Sequence, residues 1–261
     1  MNNNLLANKT AVIFGAGGHL GQQVTRAYAE QGANVFASSL NGVSGSGQSD
    51  IKEVTQVDAL NEDEVQTYLD AVVAETGTLD IVTNLSGSNP ADFNHGKPAV
   101  DVSLEQFLIP QKTATATQFV TAKAAYKHMA HQHKGVIIFI TSTLSKVGSP
   151  WSPALTASHA ATEGLLKSLA NEWGPDGIRV VGVRSEAMPE SPTINYTFTE
   201  MGKNLKLTQA QMQAFIEQNK TALKRLPSAQ ETAGVMVLAA SDLAAYMTGT
   251  VLNCSGGHVL E

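Results

Sequence analysis

The chain has 261 residues, with 17 basic and 23 acidic side chains and a formal net charge of −6. Its 43% apolar content argues against disorder, and an acidic chain with no basic run disfavours nucleic acid as a partner. No apolar stretch approaches the ~20 residues of a membrane helix, the polar start Met1–Asn8 lacks a signal-peptide layout, and the single Cys254 leaves no disulfide framework or multi-cysteine metal cluster.

These features predict a soluble cytoplasmic globule. In chain order, Thr10 to Phe14 is a β-branched and apolar run that reads as a strand. Gly15-Ala-Gly-Gly-His-Leu-Gly21 follows at once. Gln22 to Gln31 then has helical period, with Val24, Ala27 and Tyr28 on one face, and Gly32 ends it. Ala33 to Ala37 reads as a second strand. Further strands are expected at Ile81 to Thr83, Gly135 to Ile140, Ile178 to Val183 and Thr250 to Leu252. Helices are expected at Glu62 to Glu75, Thr113 to His131, Ser158 to Trp173, Gln209 to Asn219 and Ala229 to Ala240. Strands alternating with helices predict an α/β fold, a Rossmann-type doubly wound parallel sheet flanked by helices, with ligands at the carboxyl ends of the strands. No linker divides the chain, so residues 1–261 are expected to form a single domain. Two stretches break the rhythm. Asn41 to Ser49 is too rich in Gly and Ser for a helix. Glu186 to Lys206 holds Pro189 and Pro192 without a clear period and opens a segment, around 186–224, expected to cover the substrate.

These features together resemble the short-chain dehydrogenase/reductase (SDR) family over nearly the whole chain. Gly15, Gly18 and Gly21 match a Gly-x-x-Gly-x-x-Gly form of its nucleotide-binding turn, with His19 and Leu20 inside it. Such a turn lets backbone N–H groups and a helix N-terminus approach a pyrophosphate. Asp58 in Gln56-Val-Asp58 stands where the family's acid meets the adenine amino group. Asn84-Leu-Ser-Gly87, with Ser86 and Gly87, looks like a variant of the family's Asn-Asn-Ala-Gly. Ser142 follows Gly135 to Ile140 at the place of the catalytic serine, and the run from Arg225 to Gly257 resembles the family's closing helix and strand. The resemblance implies hydride transfer between NAD or NADP and an alcohol or carbonyl. At the end of the second strand, Ser39 replaces the acid that would select NAD and Leu40 the arginine that would favour NADP. The choice between the two stays open.

The family's chemistry rests on a tyrosine, a lysine, a serine and an asparagine, because charge built on an oxygen by hydride transfer must be neutralised by a proton. In the register set by Ser142, the tyrosine position holds Leu155 and the lysine position His159. Ala157, Ser158, Ala160 and Ala161 keep that register. The asparagine expected near Thr113 or Ala114 is missing, and Arg184-Ser-Glu186 stands where the family usually has Pro-Gly. Three of four catalytic groups are therefore absent. Ser142 and His159 remain as candidate catalytic residues, with His159 read first as filling a vacated lysine site and otherwise as a ribose contact or base. The expectation is an SDR-like oxidoreductase with impaired or altered proton chemistry; the alternative is a non-catalytic homologue serving as a dinucleotide-binding sensor or partner subunit.

Other conspicuous residues read structurally. His128, His131 and His133 near a helix end lack a carboxylate at ligand spacing, and no metal is expected. Ser142 with His159 lacks the strained elbow and orienting acid of a hydrolase. Small residues on the helices Thr113 to Met129 and Ser158 to Trp173 suit a homodimer or homotetramer, as the resemblance implies.

Overall fold

Strand β1, Thr10–Phe14, is buried at all of its positions, which requires a packed layer on each side of it. Alternation supplies both: Val12 and Phe14 enter one core, Ala11 and Ile13 the other. Strands β4 (Ile81–Asn84), β5 (Gly135–Ser142) and β6 (Ile178–Ser185) divide in the same way, with Val82, Ile137 and Val180 on the first face and Ile81, Ile138 and Val181 on the second. With β2 (Asn34–Ser39), β3 (Val54–Gln56) and β7 (Val251–Cys254) they form a seven-stranded sheet, ordered β3-β2-β1-β4-β5-β6-β7. Every pairing is parallel. The computed structural model describes residues 4–42 and 54–261.

Helices α1 (His19–Glu30) and α8 (Ala229–Ala240) cover one face; α2 (Glu62–Thr76), α4 (Thr117–Gln132) and α5 (Pro153–Trp173) cover the other. The result is a single-domain, doubly wound parallel α/β sheet. Local chemistry sets the ends of these helices. Asn61 caps α2 by accepting from the Asp63 and Glu64 N–H groups, and Gly77 ends it at φ 77°, a conformation glycine adopts without penalty. Ser228 and Glu231 close a reciprocal cap on α8.

Four features differ from the sequence reading. Helix α1 starts at His19 rather than Gln22, and α5 at Pro153 rather than Ser158; proline is tolerated in a first helical turn, whose N–H groups have no partner within the helix. The supposedly aperiodic stretch after Glu186 contains α6, Pro192–Leu205, followed by α7, Gln209–Asn219. Its Ile194, Thr197, Phe198 and Met201 fall at i, i+3, i+4 and i+7, a helical period that the flanking prolines obscured. Phe198 and Met201 join Met212 and Leu226 in a small separate core. A further helix, α3 (Leu104–Pro110), precedes a π-helical turn at Gln111–Ala116, so the expected helix from Thr113 is regular only from Thr117. Pro110 brings no N–H to the ladder, and across the wider turn that follows, Gln111 Nε2 donates to the Phe107 carbonyl and Thr113 Oγ1 to that of Ile109. The short β3 is also additional, and the Gly/Ser run lies outside the described residues from position 43 on.

Candidate active site

The parallel register brings the ends of β1, β4, β5 and β6 to one edge, with Phe14 beside Ser38 and Asn84, and Ser142 beside Ser185. At that edge the chain leaves β1 through Gly15, whose φ of +75° and backbone approach leave no room for a side chain: a Cβ would lie 2.7 Å from Leu85 C and Ser86 N. At Gly21 a Cβ would stand 2.3 Å from the Gly15 carbonyl oxygen. These two glycines are required by the turn itself. Gly18 and Gly87 are different. A Cβ on Gly18 would meet only the Gly15 carbonyl, at 3.5 Å, and one on Gly87 would meet nothing within 4 Å. Both line an open cleft of about 580 Å³ that also includes Ser39, Asp58 and Ser86.

The cleft has the chemistry of a phosphate and nucleoside site. Helix α1 begins at Gly18 with no side-chain cap and no acid in its first turn, so its N–H groups and positive dipole end stay available. Ser39 Oγ is buried without a partner among the described residues, a vacancy suited to a ribose hydroxyl. Asp58 Oδ1 accepts from the Leu60 N–H, leaving its other oxygen to the cleft. Asn84 serves otherwise: it is buried, its Nδ2 donates to Thr121 Oγ1 and its Oδ1 accepts from Ser86 N–H, so it shapes the loop. His19 turns toward Glu190, 3.8 Å away, and Leu20 packs against the α1 core.

Leu85, Ser86 and Gly87 also form a wall of a second cavity, of about 290 Å³. Ser142, Leu155 and His159 all line it, and Ala114 lies opposite. Ser142 Oγ accepts from the Leu144 N–H, leaving its own proton free to donate. No hydrogen bond joins Ser142 to His159 among the described residues. Sequence reasoning did not find His95, which follows a 3-10 turn after β4, nor the pair Glu186 and His258; all three line the cavity. Thr193, Ile194, Thr197 and Phe198 of α6 close its outer side.

Beneath this edge lies a buried ion network. Arg184, at the end of β6, donates from Nε and Nη2 to the two oxygens of Glu163 on α5, each at 3.0 Å, and its Nη1 stands 3.0 Å from Glu261. Thr141 and Ser145 also donate to Glu163. Burial pushes the Glu163 pKa up, but these hydrogen bonds outweigh it and hold the carboxyl below its usual range. The histidines near the end of α4 are separate from this edge. His128 pairs with Asp70 of α2 at 2.9 Å, and His133 ends the helix at φ 50°.

Burial lowers the pKa of His95 and His159 to about 4, His95 further disfavoured by His159, and His159 partly offset by Glu163. His159 Nδ1 is buried with no partner among the described residues. Both rings are therefore neutral at pH 7, whereas an unfolded histidine titrates near 6.5. Between about pH 6.5 and 4 the unfolded chain binds protons that the folded one refuses. The two histidines thus leave stability intact above that window and erode it as pH falls through it, by about 2–3 kcal/mol each at most. Urea unfolding should show a smaller loss between pH 7 and 5 in His95→Gln/His159→Gln than in the wild type; equal losses would remove this account.

The fold, with its cleft and cavity at the carboxyl ends of the strands, is that of the dinucleotide-fold oxidoreductases, and comparison with known proteins agrees. Residues 15–258 match the family model described as enoyl-(acyl carrier protein) reductase. The chain belongs to that family, within the short-chain dehydrogenase/reductases. It is 28% identical over 262 residues to 2-dehydro-3-deoxy-D-gluconate 5-dehydrogenase of Bacillus subtilis, covering 97% of this chain and 95% of the relative. It is 29% identical over 269 residues to D-threitol dehydrogenase of Mycolicibacterium smegmatis, covering 98% and 95%. The crystal structure of sorbitol-6-phosphate 2-dehydrogenase SrlD from Erwinia amylovora superposes with a TM-score of 0.86 at 26% identity, over 96% of this chain and 100% of that one. Among the described residues, no helix is long and apolar enough to cross a membrane.

Proposed function

We propose that the protein is an NAD(P)(H)-dependent oxidoreductase acting on a carbonyl or alcohol, with a proton step that does not use the family's tyrosine and lysine. The observation that carries this reading is the shared wall Leu85-Ser86-Gly87, which joins the glycine-turn cleft to the Ser142 cavity. A dinucleotide laid along that path would have its pyrophosphate held by the Gly15–Gly21 turn and the α1 N–H groups, its adenine by Asp58 and a ribose hydroxyl by Ser39. The bound nicotinamide supplies or accepts hydride. Ser142 would donate to the substrate oxygen, and α6 with α7, in the 186–224 segment, would cover the substrate and exclude water. Neither an acid nor an arginine occupies the Ser39–Leu40 position, so NAD and NADP should bind within about tenfold of each other, a difference of ~1.4 kcal/mol.

Leu155 on the cavity wall favours one other reading, a homologue that binds the dinucleotide without turnover. The exposed α5 residues Ala160, Ala161 and Gly164 offer a close-approach face for a second copy, and we include a homodimer or homotetramer in the proposal. Calorimetry with NADH and NADPH, followed by turnover of ethyl acetoacetate and 4-nitrobenzaldehyde, tests the whole reading. Binding with turnover is expected, and it should be lost in Ser142→Ala. Binding with no turnover until Leu155→Tyr/His159→Lys is introduced would favour the sensor reading. No binding of either dinucleotide would end both.

A further inference from the structure

We infer that Glu186 and His258 are the acid–base pair of the cavity; the inference rests on the oxidoreductase reading and names the group that replaces the missing tyrosine. Three histidines line the cavity, and among the described residues only His258 is oriented by a carboxylate: its Nδ1 lies 2.5 Å from Glu186 Oε2. A carboxylate on Nδ1 fixes the ring with Nδ1 as donor and leaves Nε2 to exchange a proton. Nε2 has no hydrogen-bond partner among the described residues. His95 and His159, by contrast, have no carboxylate hydrogen-bond partner among the described residues.

The pair is held on rigid elements. Glu186 directly follows β6 and is buried, and its Oε1 accepts from the Ala187 N–H at 2.9 Å. Its own N–H donates to the Cys254 carbonyl at the end of β7, and Ser185 Oγ donates to the Glu186 carbonyl. On the other side, His258 sits in a loop tied by Val259 N–H to Ser255 Oγ and by Asn253 Nδ2 to the Val259 carbonyl. Ser142 is the register partner of Ser185, so Glu186 lies one residue beyond the strand neighbour of Ser142, about 5 Å away across the sheet. Hydroxyl and dyad therefore belong to adjacent strand ends of one cavity.

In carbonyl reduction, a bound reduced dinucleotide would supply hydride to carbon, and the C=O π pair would move to oxygen. The Nε2–H bond of a protonated His258 then breaks, its proton joins that oxygen, and the ring regains a proton from water. Alcohol oxidation would run in reverse, with neutral Nε2 taking the hydroxyl proton and a bound oxidised dinucleotide accepting the hydride. The ionisable groups around the dyad are Glu186 itself, His95 and His159 across the cavity, and the Arg184, Glu163, Lys146 and Glu261 network at the end of β6.

Diethyl pyrocarbonate labelling of the free protein, read by peptide mass, tests the dyad without any cofactor. His258 should label faster than His95 and His159 at pH 7, and Glu186→Gln should slow it at least threefold. Equal labelling of the three, or no effect of Glu186→Gln, overturns the dyad. In turnover of ethyl acetoacetate, His258→Gln should lower kcat about 10²-fold, the lower end of general acid–base effects, with KM within threefold. Added imidazole should restore part of the rate of His258→Ala, which a merely structural role would not allow. Unchanged kcat in His258→Gln overturns the assignment while leaving the oxidoreductase reading in place. A wild type that neither binds dinucleotide nor turns over either probe overturns that reading, and the role of the dyad with it, even where the label reports the dyad as formed.

Discussion

Arg184→Met is expected to lower the melting temperature by about 10 °C, the largest stability effect we anticipate from one side chain. The substitution removes the bidentate partner of buried Glu163 and leaves Lys146, 3.7 Å away, as its nearest cation; removing one partner of a buried pair costs about 3–5 kcal/mol. For a chain of 261 residues, each kcal/mol moves the melting point by roughly 2–4 °C. The cost belongs to the carboxylate that has lost its two-point partner rather than to the pair. Glu163→Leu/Arg184→Met should therefore recover more than half of the loss, because replacing both members of a buried pair with apolar groups is often close to neutral. Thermal unfolding of the two variants decides this. A double variant as unstable as the single one would mean that Arg184 acts through packing or through Glu261 instead.

Gly21→Ala is expected to abolish dinucleotide binding and to destabilise the fold by about 3 kcal/mol, as overpacking against fixed backbone does. The added Cβ would meet the Gly15 carbonyl oxygen at 2.3 Å and Ala16 Cα at 2.7 Å. Neither neighbour is a side chain that could rotate away, so α1 must shift off the turn. Gly18→Ala provides the contrast. Its Cβ has only an ordinary contact at 3.5 Å, so the variant should melt within about 2 °C of the wild type, as surface substitutions do. It should nonetheless bind NADH and NADPH more weakly, because the methyl group enters the cleft. If Gly18→Ala bound both dinucleotides as the wild type does, the pyrophosphate would not lie on this turn.

Much of the fold was legible because parallel strands buried on both faces leave continuous apolar runs; Thr10 to Phe14 and Gly135 to Ile140 both became strands. Helix α6 was missed because its prolines were read as breakers, although Pro192 stands where a helix accepts one. The turn glycines were legible as a motif, and the structure separates those the backbone needs from those lining the cleft. The cavity was legible only in part. Ser142, Leu155 and His159 came from a register, but Glu186 and His258 stand 72 residues apart and meet only through the β6–β7 pairing. The one local signal was Glu186 at a position where the family usually has glycine. The Arg184–Glu163 pair gave none, since a charged residue in sequence does not reveal that its partner is buried beside it.

The order of the strands also bears on how the protein assembles in time. Strands β1 to β4 all lie within residues 10–84 and fill four adjacent places in the sheet, while β5, β6 and β7 are added beyond β4 in chain order. Closing a chain segment costs more entropy as the segment lengthens; Thr10 pairs with Asn34 and Gly135 with Ile178, whereas Ala11 must find Ile81 and Gly182 must find Val251, so β1–β2 and β5–β6 close before β1–β4 and β6–β7. Pulsed amide exchange during refolding should find Phe36 and Val181 protected before Leu252. On that schedule the glycine turn between β1 and β2 forms early, while the cleft waits for β4 and the acid–base dyad for β7, so a half-folded molecule has the turn but neither the finished cleft nor the finished cavity.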